Sequence, residues 1–415
     1  MSDALSLDHL RGLDAGDPLK GFRADFVLPE GVIYLDGNSL GPAPKAALNA
    51  LQHAGSAEWA QDLIRSWNAA GWFQLPLELG DRVGRLIGAA PGQVAVCDST
   101  SINIFKALSA AAGLRPDRKT VLAEAGSFPT DVYIAEGFVA SQPGYRLRLE
   151  GQDGASILDM LGPDVGVVLL NHVNYRSGRL ADLVAVTRAI HEAGALVIWD
   201  LCHSAGALPI GLDAAEVDFA VGCSYKYLNG GPGAPAFIYV AERHQAAARQ
   251  PLSGWWGHAR PFAFETHYEG APAIARFLCG TQPILSLRAL KGALEVWDRV
   301  DLDALRAKSL QLTDLFIALV ETRCADHGLA LETPRDPAVR GSQVSFSHPH
   351  AYEIVQALIE RQVIGDFRAP DVLRFGFTPL YLSHEDVWIA VETLRDILET
   401  GLWREPRFAA RHAVT

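Results

Sequence analysis

Cysteine and long apolar runs are both scarce in this chain of 415 residues. The five cysteines are an odd number without a C-x-x-C pair, which fits neither a disulfide framework nor a zinc site. No apolar run approaches the ~18 residues that a membrane helix needs. Residues 1–23 lack a basic region followed by an apolar one, as a secretion signal would have. These absences predict a cytoplasmic protein whose thiols are reduced and mostly pack in its interior.

Positive charge is also in short supply. Lysine and arginine contribute 36 positive charges against 48 from aspartate and glutamate, a net charge of −12. This balance disfavours a nucleic-acid or anionic-membrane partner and favours a small-molecule substrate. Since 49% of the residues are hydrophobic, the chain has enough apolar surface for a large core. The lysines are only seven: Lys20, Lys45, Lys106, Lys119, Lys226, Lys291 and Lys308.

Three common site motifs are missing. No Gly-Lys dipeptide occurs, which excludes a phosphate-binding P-loop. A hydrolase nucleophile elbow needs Gly-x-Ser-x-Gly, but Gly222-Cys-Ser-Tyr is followed by Lys226. His348 and His350 stand alone and predict a solvated loop, so we expect no metal site.

The order of apolar segments predicts an α/β fold. Residues 1–45 read as an irregular arm with one short strand at 32–35. Strand-length apolar runs then alternate with amphipathic segments, which predicts a mostly parallel, seven-stranded-type sheet with helices on both faces. The predicted strands are 121–125, 146–149, 165–170, 196–200, 219–223 and 237–240. We expect this large α/β domain to occupy residues 46–284.

The pattern of apolar residues in the sequence changes after Pro283. Long helices at 285–298 and 302–322 read as a connector, and a smaller α+β region follows. Its predicted strands are 343–347 and 372–377, and its predicted helices are 351–361 and 384–400. We therefore expect connector helices and a small C-terminal domain over 285–415.

Two side chains at strand ends suggest cofactor chemistry. Lys226 follows a predicted strand in a Gly-rich loop, where a partly desolvated amine can form an imine with an aldehyde. Asp200 ends the preceding strand, with Cys202 and His203 just beyond it. A carboxylate there can pair with a pyridinium nitrogen, the arrangement that pyridoxal phosphate (PLP) requires. The plain alternatives are a surface-loop lysine and a helix N-cap.

Two further segments fit the same ligand. Ser99, Thr100 and Ser101 precede an apolar-periodic helix, so their hydroxyls and the free backbone N–H groups can hold a phosphate. Phe128 and Asp131 lie in a Pro-bent turn after another strand and can stack on a ring and add a second acceptor. An ordinary N-cap and a capped turn remain the alternatives.

With these residues in place, the sequence resembles kynureninase, a PLP enzyme of fold type I in the aminotransferase class V group. The resemblance covers nearly the whole chain and is most specific in three segments: the Asn-Ser-Leu-Gly, Tyr-Lys-Tyr-Leu-Asn-Gly-Gly-Pro-Gly and Gly-Trp-x-Gly-His motifs. The matching segments are YLDGNSLG at 34–41, STSIN at 99–103, FPTD at 128–131, DLCH at 200–203, SYKYLNGGPG at 224–233, GWWGH at 254–258, TQPIL at 281–285 and RFGFTPLY at 374–381.

The resemblance implies roles for individual residues. Lys226 would bind PLP covalently, Asp200 would pair with the ring nitrogen, and Tyr225 would be either a proton donor and acceptor or only a phosphate ligand. Arg374 would bind the substrate α-carboxylate, with Asn38 and Ser39 as further substrate contacts; an exposed salt bridge is the alternative for Arg374. Around the cofactor would lie Thr100, Ser101, Phe128, Asp131, His203, Tyr225, Trp255 and Thr281. Trp255 and Thr281 would reach across the interface of a homodimer with shared active sites.

The family's reaction is hydrolysis of L-kynurenine to anthranilate and L-alanine in tryptophan catabolism, on the kynurenine pathway that also serves NAD biosynthesis. Residues 65–71, where members choose between kynurenine and its 3-hydroxy derivative, lack the histidine of animal members. Together with Gly280, this favours kynurenine, with 3-hydroxykynurenine as the poorer substrate. The alternatives are an aminotransferase or cysteine desulfurase on the same fold, and a binding protein without catalysis. A desulfurase needs a reactive cysteine on a mobile loop in the C-terminal half, whereas Cys324 ends an apolar-periodic helix and is predicted to be a packing residue.

Overall fold

The structure, a computed structural model, describes residues 5–150 and 156–411. The helices lie in both halves of the chain and range from one turn to six turns in length. They are Leu7–Gly16 (α1), Lys45–His53 (α2), Ser66–Ala69 (α3), Leu75–Ile87 (α4), Thr100–Leu114 (α5), Pro129–Ser141 (α6), Leu183–Glu192 (α7), Glu242–Gln245 (α8), Ile284–Trp297 (α9), Leu302–Arg323 (α10), Ala351–Glu360 (α11) and His384–Thr400 (α12).

The strands form one large sheet and two small ones. They are Ile33–Tyr34 (β1), Val94–Val96 (β2), Thr120–Glu124 (β3), Arg146–Glu150 (β4), Val165–Asn171 (β5), Leu196–Asp200 (β6), Phe219–Gly222 (β7), Phe237–Val240 (β8), Ala330–Leu331 (β9), Gln343–Ser347 (β10), Val363–Ile364 (β11), Asp366–Arg368 (β12) and Val372–Gly376 (β13).

The large sheet has seven strands in the order β2-β8-β7-β6-β5-β3-β4. Only β8 runs against the others, since it pairs antiparallel with both β7 and β2 while the remaining pairs are parallel. The carboxyl ends of the other six strands therefore meet at one edge of the sheet, where ligands of open α/β sheets bind.

Both faces of this sheet are covered, as the continuous apolar runs predict. Val197 and Trp199 of β6 belong to one hydrophobic cluster, and Leu196 and Ile198 belong to the other. Successive side chains of a strand point to opposite faces, so both faces of β6 are buried. The α/β prediction with a mostly parallel sheet is confirmed.

A smaller α+β unit follows the long helices α9 and α10. Its antiparallel sheet has the order β12-β13-β10-β9. The helices α10 and α11 pack against this sheet, and α12 packs on both helices. Arg374 lies on β13, one of its inner strands, opposite Ser345 of β10 and Asp366 of β12. The register of β12 and β13 thus places a carboxylate directly beside this guanidinium.

The N-terminal arm is more regular than predicted. Its residues include α1, with Ser6 accepting a hydrogen bond from the backbone N–H of His9 and with Leu10 buried. Asp14 caps the start of α12 by accepting from the His384 backbone N–H at 2.8 Å. The helix α1 packs on α12, some 370 residues away in the sequence. Because this distant contact stabilises α1, the nearby prolines and glycines wrongly predict an irregular segment.

Short strands are the other difference from prediction. The strand expected at 32–35 is only the two residues of β1, which pairs in parallel with β11. Neither β2 nor β9, β11 and β12 was expected, since two or three residues are too few to show a period. Within the described residues, no helix has the length and apolar character for crossing a membrane, and no three His, Cys, Asp or Glu side chains cluster as metal ligands.

Candidate active site

Residues beyond five strand ends line one cavity at the carboxyl edge of the large sheet. The cavity holds about 620 Å³ of empty space, its mouth included. It brings together the predicted Lys226, Asp200, Phe128 and Asp131 with the start of α5. The lining residues are Ser99, Thr100, Ser101, Phe128, Thr130, Asp131, Asn171, Val173, Asp200, Cys202, His203, Tyr225 and Lys226.

Lys226 lies in the tight loop that follows β7. The loop is closed by a hydrogen bond from the Asn229 N–H to the Lys226 carbonyl at 3.0 Å, with Asn229 in the left-handed region at φ +59°. Gly41 contacts this loop, and its N–H donates to the Tyr225 carbonyl at 2.8 Å. A Cβ at Gly41 would lie 2.2 Å from the Lys226 carbonyl oxygen. Only glycine permits this approach, which explains the last residue of the 34–41 motif.

The Lys226 amine points at His203. Its Nζ lies 2.9 Å from Nε2 of His203, whose ring is buried. Burial, and then the charge of Lys226, lower the pKa of His203 well below its usual value. The imidazole is therefore neutral at physiological pH and accepts a hydrogen bond from the lysine.

Asp200 and Asp131 are two carboxylates in the same buried region. Asp200 Oδ1 accepts from the Cys202 N–H at 2.6 Å, and Asp131 Oδ2 accepts from Asn171 Nδ2 at 2.6 Å. Burial, and then the charge of Asp200, raise the pKa of Asp131 well above its usual value. Two close carboxylates cannot both ionise cheaply, so this place is suited to a cationic ring nitrogen.

The start of α5 forms the other end of the cavity. Ser99 is its N-cap and accepts from the Ile102 N–H at 3.4 Å, so the ordinary capping role exists here. Thr100 and Ser101 occupy the first two helical positions and line the cavity. Hydroxyls and unpaired N–H groups at a helix N-terminus are well matched to a phosphate.

Two aromatic residues flank the cavity. Phe128 lines it and is 41% exposed, with its ring centroid 5.9 Å from Lys226 Nζ and its backbone N–H donating to Asn171 Oδ1 at 3.4 Å. The Tyr225 ring lies 5.8 Å from the same nitrogen. Burial raises the pKa of Tyr225 far above its usual value, so its hydroxyl keeps its proton.

Arg374 is buried behind the cavity and does not line it. Its Nε donates to Asp366 Oδ1 at 2.8 Å, its Nη1 to the Tyr175 carbonyl at 2.7 Å and its Nη2 to Ser39 Oγ at 2.8 Å. Arg374 is 1% exposed, so the ion pair is not on an open sheet face, as the alternative reading supposed. The Tyr175 ring stands edge-on to Phe128 at 5.4 Å, which joins this cluster to the cavity wall.

Asn38 and Ser39 belong to the Arg374 cluster. Ser39 Oγ donates to Asp366 Oδ2 at 2.7 Å and also accepts from Arg368 Nη2 at 3.0 Å. Asn38 is fully buried, and neither of its amide atoms has a hydrogen-bond partner among the described residues. An unpaired buried amide is costly unless a ligand or water completes it, which marks this corner as a binding place.

Trp255 and Thr281 lie outside the cavity lining of this chain. Their segments are neighbours, since the Trp256 N–H donates to the Cys279 carbonyl at 3.1 Å, but neither residue lines the cavity. Trp255 is 39% exposed and Thr281 is also exposed. The single subunit therefore does not bring these two predicted residues to the cofactor pocket.

Among the residues of the site that sequence reasoning missed are Asn171, Tyr175 and Asp366. Asn171 is the last residue of β5, and extending the predicted strand by one position would have placed it at the ligand edge. Asp366 is brought to Arg374 by the β12–β13 pairing, which no local pattern in the sequence indicates.

Cys324 is confirmed as a packing residue. It is 1% exposed at the end of α10, and burial raises the pKa of its thiol to about 12. A thiol of this kind is a poor nucleophile at neutral pH, so Cys324 is not the reactive cysteine that a desulfurase would require.

Comparison with known proteins identifies the family of this chain. A kynureninase of Burkholderia pseudomallei is 56% identical over 408 residues, which is 97% of this chain and 98% of the relative. This chain belongs to the kynureninase family. A kynureninase of Pseudomonas fluorescens is 53% identical with the same coverage of both chains. The family model described as kynureninase C-terminal domain matches residues 305–394, which span α10 to α12.

Solved structures of other families share the fold of this kynureninase-family chain. A cysteine desulfurase of Thermococcus onnurineus has a TM-score of 0.76 at 18% identity and covers 92% of this chain and 98% of its own. C-DES with glycine covalently linked to its PLP cofactor has a TM-score of 0.77 at 18% identity, covering 90% and 98%. At these identities the likeness establishes the fold type I architecture alone.

Proposed function

We propose that this protein hydrolyses L-kynurenine to anthranilate and L-alanine, with PLP bound through Lys226. It is thus a hydrolase acting on carbon–carbon bonds in ketonic substances. The observation that carries the proposal is identity above 50% with kynureninases over 97% of the chain.

The residues present fit PLP. Lys226 supplies the amine for the aldehyde, Thr100 and Ser101 at the start of α5 suit the phosphate, and Phe128 offers a ring face. Asp200 is held by the Cys202 N–H and shares its buried region with Asp131, so a protonated ring nitrogen would relieve the repulsion of two acids. His203 and Tyr225 complete the surroundings.

The chain's own groups supply binding and proton transfer. When bound, PLP supplies an aldehyde for the substrate amine and a protonated ring that accepts electrons from the bonds at Cα and Cβ. Lys226 Nζ moves the proton at the substrate Cα, and the neutral His203 orients that nitrogen through the 2.9 Å contact. The Tyr225 hydroxyl keeps its proton and serves either as donor at the γ-carbonyl and Cβ or only as a phosphate ligand.

Arg374 binds the substrate α-carboxylate in this proposal, with Asn38 and Ser39 beside it. The guanidinium is already oriented by Asp366, and the unpaired Asn38 amide lies in the same cluster, against Gly376. Burial, and then Asp366, raise the pKa of nearby Asp36 to about 7. Asp36 can therefore take up a proton when a further carboxylate enters.

Assembly and location complete the proposal. The protein would be a cytoplasmic homodimer with shared active sites, in which Trp255 and Thr281 of each subunit serve the phosphate of the other. Their exposure and their absence from the cavity lining of their own chain support this arrangement. We expect neither nucleic acid nor membrane as a partner. The chain divides into the arm 1–45, the PLP-binding domain 46–284 and the C-terminal part 285–415.

Plain kynurenine is the preferred substrate in this proposal, with 3-hydroxykynurenine the poorer one. Residues 65–71 contain no histidine, and their Trp67 packs edge-on against Trp256 at 5.3 Å, which places them beside the 254–258 motif. An aminotransferase or desulfurase activity has no comparable support, since the desulfurase neighbours are 18–20% identical.

The direct test is to incubate purified protein with L-kynurenine and to follow anthranilate fluorescence. Borohydride reduction and peptide mapping should place the pyridoxyl group on Lys226, and a Lys226→Ala variant should release no anthranilate. A pyridoxyl group on another of the seven lysines would overturn the assignment of Lys226. Turnover of cysteine or an amino-group acceptor, without anthranilate release, would overturn the activity itself.

A further inference from the structure

Lys106 is a second buried lysine close to the cavity, and the proposed reaction does not use it. It is fully buried on α5, six residues beyond Thr100, and it does not line the cavity. Its Nζ forms an ion pair with Asp98 and donates to the Phe277 carbonyl at 2.5 Å. A buried ammonium costs several kcal/mol unless it is paired, so these two contacts determine where its neighbours lie.

Asp98 is the residue that leads into the start of α5, and its backbone is in a rare conformation. Its φ is +49°, a left-handed value that a non-glycine residue adopts only under constraint. Its backbone N–H donates to Gln282 Oε1 at 3.3 Å, and its carbonyl accepts from the Ala236 N–H at 2.9 Å. The ion pair with Lys106 fixes the side chain as well, so every polar group of Asp98 has a partner.

The Phe277 carbonyl connects this turn to a second segment. Phe277 ends a short 3-10 helix, and Gln282, which holds Asp98, also donates to the Gly280 carbonyl at 3.0 Å. Thr281 lies between these two residues. One ammonium therefore ties the turn before Thr100 to the segment that carries Thr281.

We propose that Lys106 is a positioning residue for the phosphate end of the cofactor, holding the 98–101 turn and the 277–282 segment in place together. The inference depends on the proposed PLP site. Lys106 acts through Asp98 and Phe277 and does not touch the cofactor. Its loss would let Asp98 leave the left-handed conformation, which would misplace the hydroxyls of Thr100 and Ser101.

The test compares PLP with pyridoxal, which has the same ring and aldehyde but no phosphate. Each is titrated into the apoenzymes of wild type and Lys106→Met, and binding is followed by absorbance. We expect Lys106→Met to weaken PLP binding at least tenfold while pyridoxal binding stays within twofold. A general loss of structure would weaken both ligands alike.

Lys308 offers a matched control. It is also buried, and its Nζ donates to Asp17 Oδ2 and to the Pro379 carbonyl, each at 2.6 Å. None of these three residues lines the cavity. Lys308→Met should lower thermal stability without changing the ratio of PLP to pyridoxal affinity. A change in that ratio equal to the change in Lys106→Met would overturn the proposal.

A milder variant keeps the test decisive if Lys106→Met does not fold. Asp98→Asn retains the shape of the side chain but removes its charge, and we expect the same selective loss of PLP affinity to a smaller degree. Equal loss of PLP and pyridoxal binding, or no loss of either, would refute the positioning role. If wild type itself fails to bind PLP at Lys226, the proposed function is wrong, a result that borohydride mapping detects separately.

Discussion

Asp200 and Asp131 are chemically the same side chain, yet their hydrogen-bond partners differ. Asp200 accepts a backbone N–H, while burial and the neighbouring Asp200 favour the neutral form of Asp131. Asp200 is therefore the better partner for a protonated ring nitrogen.

We predict that Asp200→Asn retains much of the cofactor but loses most kynurenine hydrolysis, because an amide cannot hold the pyridinium proton. The barrier should rise by several kcal/mol, about tenfold in rate for each ~1.4 kcal/mol. Asp131→Asn is the matched control and should lose less. Steady-state kinetics with cofactor content measured by absorbance checks the order. An Asp200→Asn enzyme within a few-fold of wild type would identify another ring partner.

Arg374→Lys should weaken substrate binding by roughly 1–3 kcal/mol, since one ammonium cannot replace a paired guanidinium contact. PLP content should be unchanged. The measurement is KM for L-kynurenine, with Arg176→Lys as control, because Arg176 forms a partly exposed ion pair with Asp371 at 2.9 Å outside the cluster. Unchanged KM and kcat in Arg374→Lys would transfer the role to Arg368, which shares Asp366.

At the scale of elements, the site depends on how neighbouring strands end. Glu124 ends β3, and its Oε2 accepts from the backbone N–H of Asn171 at the end of β5, at 3.2 Å. Asn171 in turn holds Asp131. Two strand termini thus share one carboxyl group below the cavity, and burial raises the pKa of Glu124 to about 7.

This shift predicts a pH dependence of stability. The folded state holds the Glu124 proton up to about pH 7, whereas the unfolded chain releases it near its ordinary pKa, so stability falls as pH rises between them. Each pKa unit is worth ~1.4 kcal/mol, and solvent screening reduces the total to about 1–2 kcal/mol. Glu124→Gln should remove this loss.

Thermal unfolding of the holoenzyme between pH 5 and pH 8 is the measurement for Glu124→Gln. The Tm of the variant relative to wild type should rise across this range by a few degrees. Glu136→Gln, an exposed change on α6, should show a constant difference. A Glu124→Gln curve parallel to wild type would show that the carboxyl does not titrate there.

At the scale of the whole molecule, the cavity of one chain is not lined by Trp255 or Thr281, the two residues that we propose for its phosphate end. Lys226, Asp200 and Thr100 come together within the chain, while Trp255 and Thr281 face outward. A second copy is the simplest source of these side chains.

Mixing two inactive proteins tests this arrangement. The Lys226→Ala variant retains Trp255 and Thr281. The double variant Trp255→Ala, Thr281→Ala retains Lys226. After full subunit exchange, half of the dimers are hybrids with one complete site each, so about a quarter of wild-type activity should return. No recovery, with exchange confirmed by differently tagged subunits, would mean that each chain builds its own phosphate site.

The sequence alone determined the α/β architecture and most of the cavity. Apolar runs give the strands of the large sheet, and a parallel sheet gathers its carboxyl ends at one edge, so Asp200 and Lys226 were predictable as neighbours from their places after β6 and β7. Part of the kynureninase resemblance rested on motifs at these strand ends, DLCH at 200–203 and SYKYLNGGPG at 224–233, and part on motifs elsewhere, such as GWWGH at 254–258.

The tertiary structure decided what local patterns cannot carry. The ion pair of Arg374 with Asp366 follows from the register of two strands, and the helix α1 is stabilised by its packing on α12. Lys106 connects Asp98 to the carbonyl of Phe277, which lies 171 residues after the lysine in the sequence. Each is a contact between residues that no periodic sequence pattern relates. Such contacts are selected by the burial of charge and apolar surface across the whole fold, and only the folded chain displays them.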